Sequence, residues 1–247
     1  MNTLLQRLRT LPGGPHVVTY GTGHADVQIV DVQETESYSR ALVRFPELGE
    51  MVVRVPVPGR HMLLNGIAAL TARSVVLDHD LGEAIAALRA FRGVHRRLTR
   101  RPLGDVTVID SFAHHPREVG ADLKAARLST TPSGRVLVCF EPTGHLRLHE
   151  FISDLADALV DHTAQVIVLP THSHHGQPVE ASDGSHLADV ITALGGWGRH
   201  TDDPETAARH LADAARPGDV LVTMGCGDVN RVGDHLTRFL DDRIPSA

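Results

Sequence analysis

Aromatic side chains are scarce in this chain: six Phe, two Tyr and one Trp among 247 residues. Cysteine is scarcer, with only Cys139 and Cys226, which form no C-x-x-C pair. That count excludes a disulfide-stapled secreted fold and a cysteine-based zinc module, and suits a reducing compartment. No apolar run approaches the roughly 20 residues that a membrane helix needs. The opening MNTLLQRLRTLPGGPH has no apolar signal-peptide core. A cytoplasmic location with no membrane association is therefore expected. Positive charge is also short: 24 Lys and Arg face 30 Asp and Glu, for a formal net charge of −6. No basic run is interleaved with aromatics, so no nucleic-acid partner is expected.

What is present is a globular balance of 42% hydrophobic and 22% charged residues, enough for one large or two modest domains. Histidine is out of proportion, at 17 residues spread along the chain. Such a content raises metal binding and acid–base chemistry, although many histidines are plain surface residues.

The first part reads as strands and then helices. HVVTYG (16–21), VQIVDVQ (27–33), SRALVRF (39–45) and EMVVRVPV (50–57) are short β-branched segments between turn residues. GRHMLLNGIAALTARSVVLDHD follows with helical spacing, then a helix over LGEAIAALRAFRG that stops at Gly93. VHRRLTRRPLGD reads as a basic linker. In the second part, VTVIDSF (106–112), RVLVCFE (135–141), AQVIVLP (164–170) and DVLVTMG (219–225) alternate with helical stretches at 117–128, 148–161, 185–194 and 204–215. Strands without polar alternation are buried on both faces, which means a parallel sheet. The fold class is therefore α/β, a Rossmann-like, doubly wound, mainly parallel sheet preceded by a smaller partial α/β segment. GGWGRHTDDPE reads as an ordinary loop.

In a parallel sheet, ligands sit at the carboxyl ends of the strands. Four such ends carry polar side chains: Asp110, Ser111, His114 and His115; Glu141, His145 and Arg147; His172, His174 and His175; Cys226 and Asp228. Imidazoles and a carboxylate along one edge suit a Zn²⁺ or Fe²⁺ site, and equally suit proton transfer or anion binding. Plainer roles stand beside these: loop histidines are common, Asn65 would be a buried amide, and Arg96 and Arg97 would be solvated linker charges.

Five segments resemble the Mur ligases in order and spacing: GRHMLLNGIAAL, FRGVHRRL, VIDSFAHHPREVGADLKAAR, VLVCFEPTGHLR and RPGDVLVTMGCGDV. The resemblance covers nearly the whole chain. It implies that residues 1–98 match the end of that family's central, ATP-binding domain and residues 99–247 its C-terminal, amino-acid-receiving domain. No UDP-sugar domain and no Gly-Lys-Thr/Ser phosphate loop occur among these residues, so ATP and Mg²⁺ binding by this chain alone is doubtful. The family's His-Asn-x-x-Asn is His61-Met62-Leu63-Leu64-Asn65 here. Its Asp-Asp-Tyr-Gly/Ala-His-His-Pro is Asp110-Ser111-Phe112-Ala113-His114-His115-Pro116. The resemblance thus leaves Asn65, Arg97 and Asp110 as residual nucleotide positions, with Ser111 marking a lost contact. Of Phe-Gln-Pro-His-Arg-Tyr-x-Arg, the segment Phe140–Arg147 keeps the last arginine.

The expectation is a truncated ligase-like protein that binds an amino acid or other small carboxylate through His114, His115 and Arg147. Glu141 and His145 would assist, for amide-bond formation with a partner that supplies ATP. One alternative is an ATP-independent metal enzyme using His114 or His115, Glu141, His145 and His172 to His175. Another is a non-catalytic scaffold subunit. At least three of the seven His and Glu side chains at the strand ends are expected to share one pocket. The first 98 residues are expected to leave an apolar surface uncovered, and so to form a homodimer or heteromer.

Overall fold

Residues 3–46, 48–77, 80–173 and 183–241 are described by a computed structural model, in which the chain divides into two units, residues 1–92 and 93–247.

In the first unit the alternating segments form a sheet in the order β1-β2-β3-β4, from Tyr20–Gly21, Val27–Glu34, Ser39–Phe45 and Gly49–Val55. A helix, α1, precedes it at Thr3–Thr10. Period-2 alternation turns Val27, Ile29, Ala41, Val43, Phe45, Val53 and Val55 inward. The helix α2 (Arg60–Thr71) meets that face with Leu63, Gly66, Ile67 and Leu70. Gly66 allows the close approach, since a Cβ there would lie 2.6 Å from a Val55 methyl. The long helix expected after α2 instead widens into a π turn at Ala72–Val76, where Ser74 Oγ donates to the Leu70 carbonyl at 2.6 Å. The next helix, α3 (Leu81–Arg89), is capped by Asp80, which accepts from Glu83 N at 2.7 Å. The strand expected over 16–21 shrinks to two residues, because Thr19 folds back onto Asp26.

The sheet's outer face differs from the apolar surface expected. Arg44 bridges Glu50 (2.7 Å) and Gln28 (2.9 Å), Arg40 donates to Gln33 (2.8 Å), and Arg54 lies over the Tyr38 ring. Among these described residues the face is mostly polar, as an antiparallel sheet with one wet side should be.

The second unit is a six-stranded sheet in the order β5-β6-β10-β7-β8-β9. Its strands are Thr99–Leu103, Val106–Ser111, Val220–Gly225, Val136–Glu141, Gln165–Val168 and Gly198–His200, in that order. All neighbours pair in parallel except the β5–β6 pair. Every residue of β7 and β10 is buried, which explains their continuous apolar sequences. The helices α7 (Pro204–Ala214) and α8 (Asn230–Asp241) cover one face through Leu211, Val232 and Leu236. The remaining helices are α4 (Pro116–Arg127), α5 (His145–Val160) and α6 (Gly184–Ala193).

Two segments expected to be irregular are strands. The basic linker contains β5, so the unit boundary falls near residue 92 rather than 98. Its alternation is too charged to show a core side, and Pro102 is tolerated because β5 is an edge strand. The supposed loop GGWGRHTDDPE contains β9, three residues long, at the other edge. At the opposite end from the candidate site, the buried Asp219 accepts from Arg135 N (2.7 Å), the Arg135 guanidinium and Arg216 N (3.0 Å). Burial raises the Asp219 pKa, but these hydrogen bonds outweigh it and hold the carboxyl below its ordinary value.

Candidate functional site

Strands β6, β10 and β7 end level with one another, with Met224 opposite Ser111 and Gly225 opposite Glu141. An isolated bridge between Thr143 and His172 adds the segment that follows β8. The loops after four strands therefore lie along one edge, as the parallel pattern implies.

At the centre is the turn Gly225–Val229, held from three sides. Glu141, only 6% exposed, accepts a 2.6 Å hydrogen bond from Val229 N, and its other oxygen lies 3.6 Å from His172 Nδ1. Burial pushes the Glu141 pKa up, and the backbone N–H groups of Val229 and Asp228 and the nearby His172 offset this only in part. Arg96 donates to the carbonyls of Gly225 (2.7 Å) and Gly227 (3.3 Å), while its Nε lies 3.3 Å from Asp110. Thr143 Oγ1 and Cys226 Sγ are 2.6 Å apart. At Gly227 a Cβ would fall 2.1 Å from Glu141 Oε1 and 2.6 Å from His172 Nδ1, so a side chain there would displace both groups. Gly225, at φ 138°, takes a conformation that favours glycine and passes within 2.4 Å, by its absent Cβ, of the Glu141 carbonyl.

The two adjacent histidines face different partners. His114 Nδ1 is 2.9 Å from the Phe112 carbonyl, which can only accept, so the neutral ring carries its proton on Nδ1 and its lone pair on Nε2. His115 caps α4: its Nδ1 accepts from Arg117 N at 3.3 Å, which puts the proton of the neutral ring on Nε2. The Glu118 carboxylate completes the capping box. The His115 ring packs on Phe151 of α5, with centroids 5.1 Å apart. His115, Pro116, Arg117, Phe151, Asp154 and Asp157 line an open hollow of about 580 Å³. His145 is buried in the first turn of α5, and Arg147, two residues on in the same turn, is exposed.

Of the residues singled out from the sequence, Glu141 and His172 come together, and His115 meets the α5 side chains. No group of three or more His, Cys, Asp or Glu able to hold a metal ion forms among the described residues. His174 and His175 lie outside the described residues. Of the five described strand-end side chains, His115 alone lines the hollow between α4 and α5. The residual nucleotide positions have different surroundings. Asp110 takes Arg96 and accepts from Thr223 Oγ1 at 3.0 Å. Arg97 is exposed, with its guanidinium 5.5 Å from the Phe112 ring centre. Asn65 is exposed on α2, not the buried amide that its apolar surroundings suggested. Ser111 is fully buried; its hydroxyl donates to the buried Asp122 and accepts from Ala113 N at 3.0 Å. No Gly-Lys-Thr/Ser loop occurs in the sequence.

Sequence reading missed the part played by Arg96, which is a clamp and not a solvated charge. The available signal was its position just before a strand, together with the Gly-x-Gly turn whose carbonyls it holds.

Residues 96–227 match the family model described as Mur ligase, glutamate ligase domain. The chain is 35% identical over 236 residues to the UDP-N-acetylmuramate–L-alanine ligase of Cutibacterium acnes, covering 94% of this chain and 49% of that protein. The enzyme of the same name from Mycobacterium marinum is also 35% identical, with 92% and 47% covered. Among solved structures, the alanine ligase MurC of Thermotoga maritima aligns with a TM-score of 0.75 at 22% identity, over 92% of this chain and 48% of that one. MurF of the same organism, in complex with ADP, aligns at 0.71 and 19% identity, over 98% and 53%. The chain thus spans about half the length of the curated relatives it matches. With the domain model over residues 96–227 and 35% identity over 236 residues, the chain belongs to the Mur ligase family.

Proposed function

We propose that residues 93–247 are the amino-acid-receiving part of an amide-forming ligase, with the carboxyl partner activated by a domain outside these 247 residues. One observation carries the reading: α4 and α5 begin at the strand-end edge and are joined there by the His115–Phe151 contact. Helix N-termini favour anions, and Arg147 in the first turn of α5 adds a forked donor for a carboxylate. Arg117, Asp154 and Asp157 line the hollow beside Phe151, at which α5 kinks, so a cation and two carboxylates share it. That mix of charge complements the carboxylate and ammonium groups of an amino acid.

The tautomers divide the chemistry. His115 presents an N–H at Nε2 and is suited to hold an anion. His114 has its lone pair at Nε2 and is suited to take the proton that the amine nitrogen sheds as it bonds to an activated carbonyl. No step is assigned to ATP, since Asp110 and Ser111 are engaged elsewhere. The relatives are named as L-alanine ligases, which makes L-alanine the amine substrate of those proteins.

The test is NMR of the imidazole groups during titration with single amino acids. The expected result is selective shifts of His114 and His115, lost when the ligand is esterified or Arg147 is replaced by Ala. Absence of any shift across the amino acids would overturn the reading.

A further inference from the structure

The strand β4 stands at the edge of the first unit's sheet, with β3 on one side only. Its other edge takes part in no backbone hydrogen bond with a loop or helix among the described residues. A seven-residue edge with unmet N–H and C=O groups is a template for another strand. The side chains say which one. On the outer face, Glu50, Val52 and Arg54 alternate, all exposed, with Val52 at 48%. An antiparallel copy of the same strand, related by a two-fold axis at Val52, would place Glu50 opposite the other copy's Arg54, and Arg54 opposite its Glu50. Val52 would face Val52, and Met51 would face Val53 on the inner side. The sequence Glu-Met-Val-Val-Arg is self-complementary in that single register.

We propose that this chain forms a two-fold dimer by pairing β4 with β4 of a second copy, making one continuous sheet across the two first units. Arg44, already bonded to Glu50 at 2.7 Å, would extend the charge ladder across the junction.

The experiment is sedimentation equilibrium over a range of concentrations, on the full chain. The wild type is expected to show a reversible monomer–dimer equilibrium. Glu50→Arg and Arg54→Glu each convert two attractive cross-strand pairs into repulsive ones, and each should raise the dissociation constant by roughly tenfold or more. The double variant Glu50→Arg/Arg54→Glu restores opposite charges and should recover the dimer. This is a rescue that a mere loss of folding would not give. In a Cys226→Ser background, Val52→Cys should form a disulfide-linked dimer under mild oxidation. A wild type that stays monomeric throughout, single reversals that leave the dimer intact, or a double variant that fails to recover it would each overturn the proposal.

Discussion

Replacing Glu141 by Ala removes the acceptor beneath the Gly225–Val229 turn without touching the sheet's apolar core. The Val229 N–H, bonded at 2.6 Å, and the neighbouring Asp228 N–H would lose their carboxylate. A buried donor left without a partner costs about 1–3 kcal/mol. Relief offsets part of this, because the raised pKa shows that the ionised carboxylate is itself held at a cost. A net loss of about 1–3 kcal/mol is expected, or about 3–9 °C in Tm for a domain of this size. Glu141→Gln keeps an oxygen for Val229 N and should lose less than about 1 kcal/mol. The single tryptophan, Trp197, lies in the second unit, so its fluorescence during urea unfolding reports this unit alone. The pH dependence has a definite sign. A carboxyl whose pKa is raised on folding binds its proton more tightly in the native state, so its contribution falls as pH rises from the unfolded value through the folded one. The wild type should therefore compare best with Glu141→Gln below pH ~4.3 and progressively less well above it. Equal losses in the Ala and Gln variants, or a gap that grows with pH, would refute the bracing role and the burial argument together.

Arg96→Ala strips donors from the Gly225 and Gly227 carbonyls and leaves Asp110 without its cation. Urea unfolding should show a loss of about 2–4 kcal/mol, less than additive with Glu141→Ala because both hold one turn. Ser111→Ala should cost about 1–2 kcal/mol by removing the hydroxyl that donates to Asp122 and accepts from the Ala113 N–H. Ser111→Asp, although it restores the family pattern, should cost more in the same assay by setting a second carboxylate against a buried one. Thiol titration of the native protein should count one reactive cysteine, Cys226. Burial and the neighbouring Glu141 charge push the Cys139 thiol far up, and it should react only after unfolding.

The sheet was legible because β7 and β10 are uninterrupted apolar runs, and burial on both faces leaves no other reading for them. The edge strands were not. In β5, Thr99, Arg101 and Pro102 are exposed, Arg100 is half-buried and only Leu103 is turned into the core, and in β9 three residues are too few for any period. The strand-end edge was legible for the same reason as the sheet, since parallel strands must end together. What each side chain does there was not, because its partner is remote in sequence. Glu141 meets Val229 across 88 residues and Arg96 meets Gly225 across 129. Strand-end position suggested Glu141 and His172 as metal ligands, and no sequence pattern announced that this carboxylate also meets the Val229 N–H, with Gly227 making room beside it.

The paired histidines lead to the last prediction. His115 combines two tasks that substitution can separate: its Nδ1 caps α4, and its Nε2–H is the group offered to an anion. Asn is among the best N-cap residues, since its side-chain oxygen takes over from Nδ1, whereas Ala costs about 1 kcal/mol at a cap. Thermal unfolding should therefore rank wild type and His115→Asn together, within about 0.5 kcal/mol, and His115→Ala below both. Amino-acid binding should rank differently, weakened to a similar extent in Asn and Ala because both lack the imidazole N–H. His114→Asn leaves the cap untouched and should spare affinity while slowing amide formation, since only the proton acceptor is lost. If the binding and stability rankings of the His115 variants coincide, the histidine is a cap and nothing more.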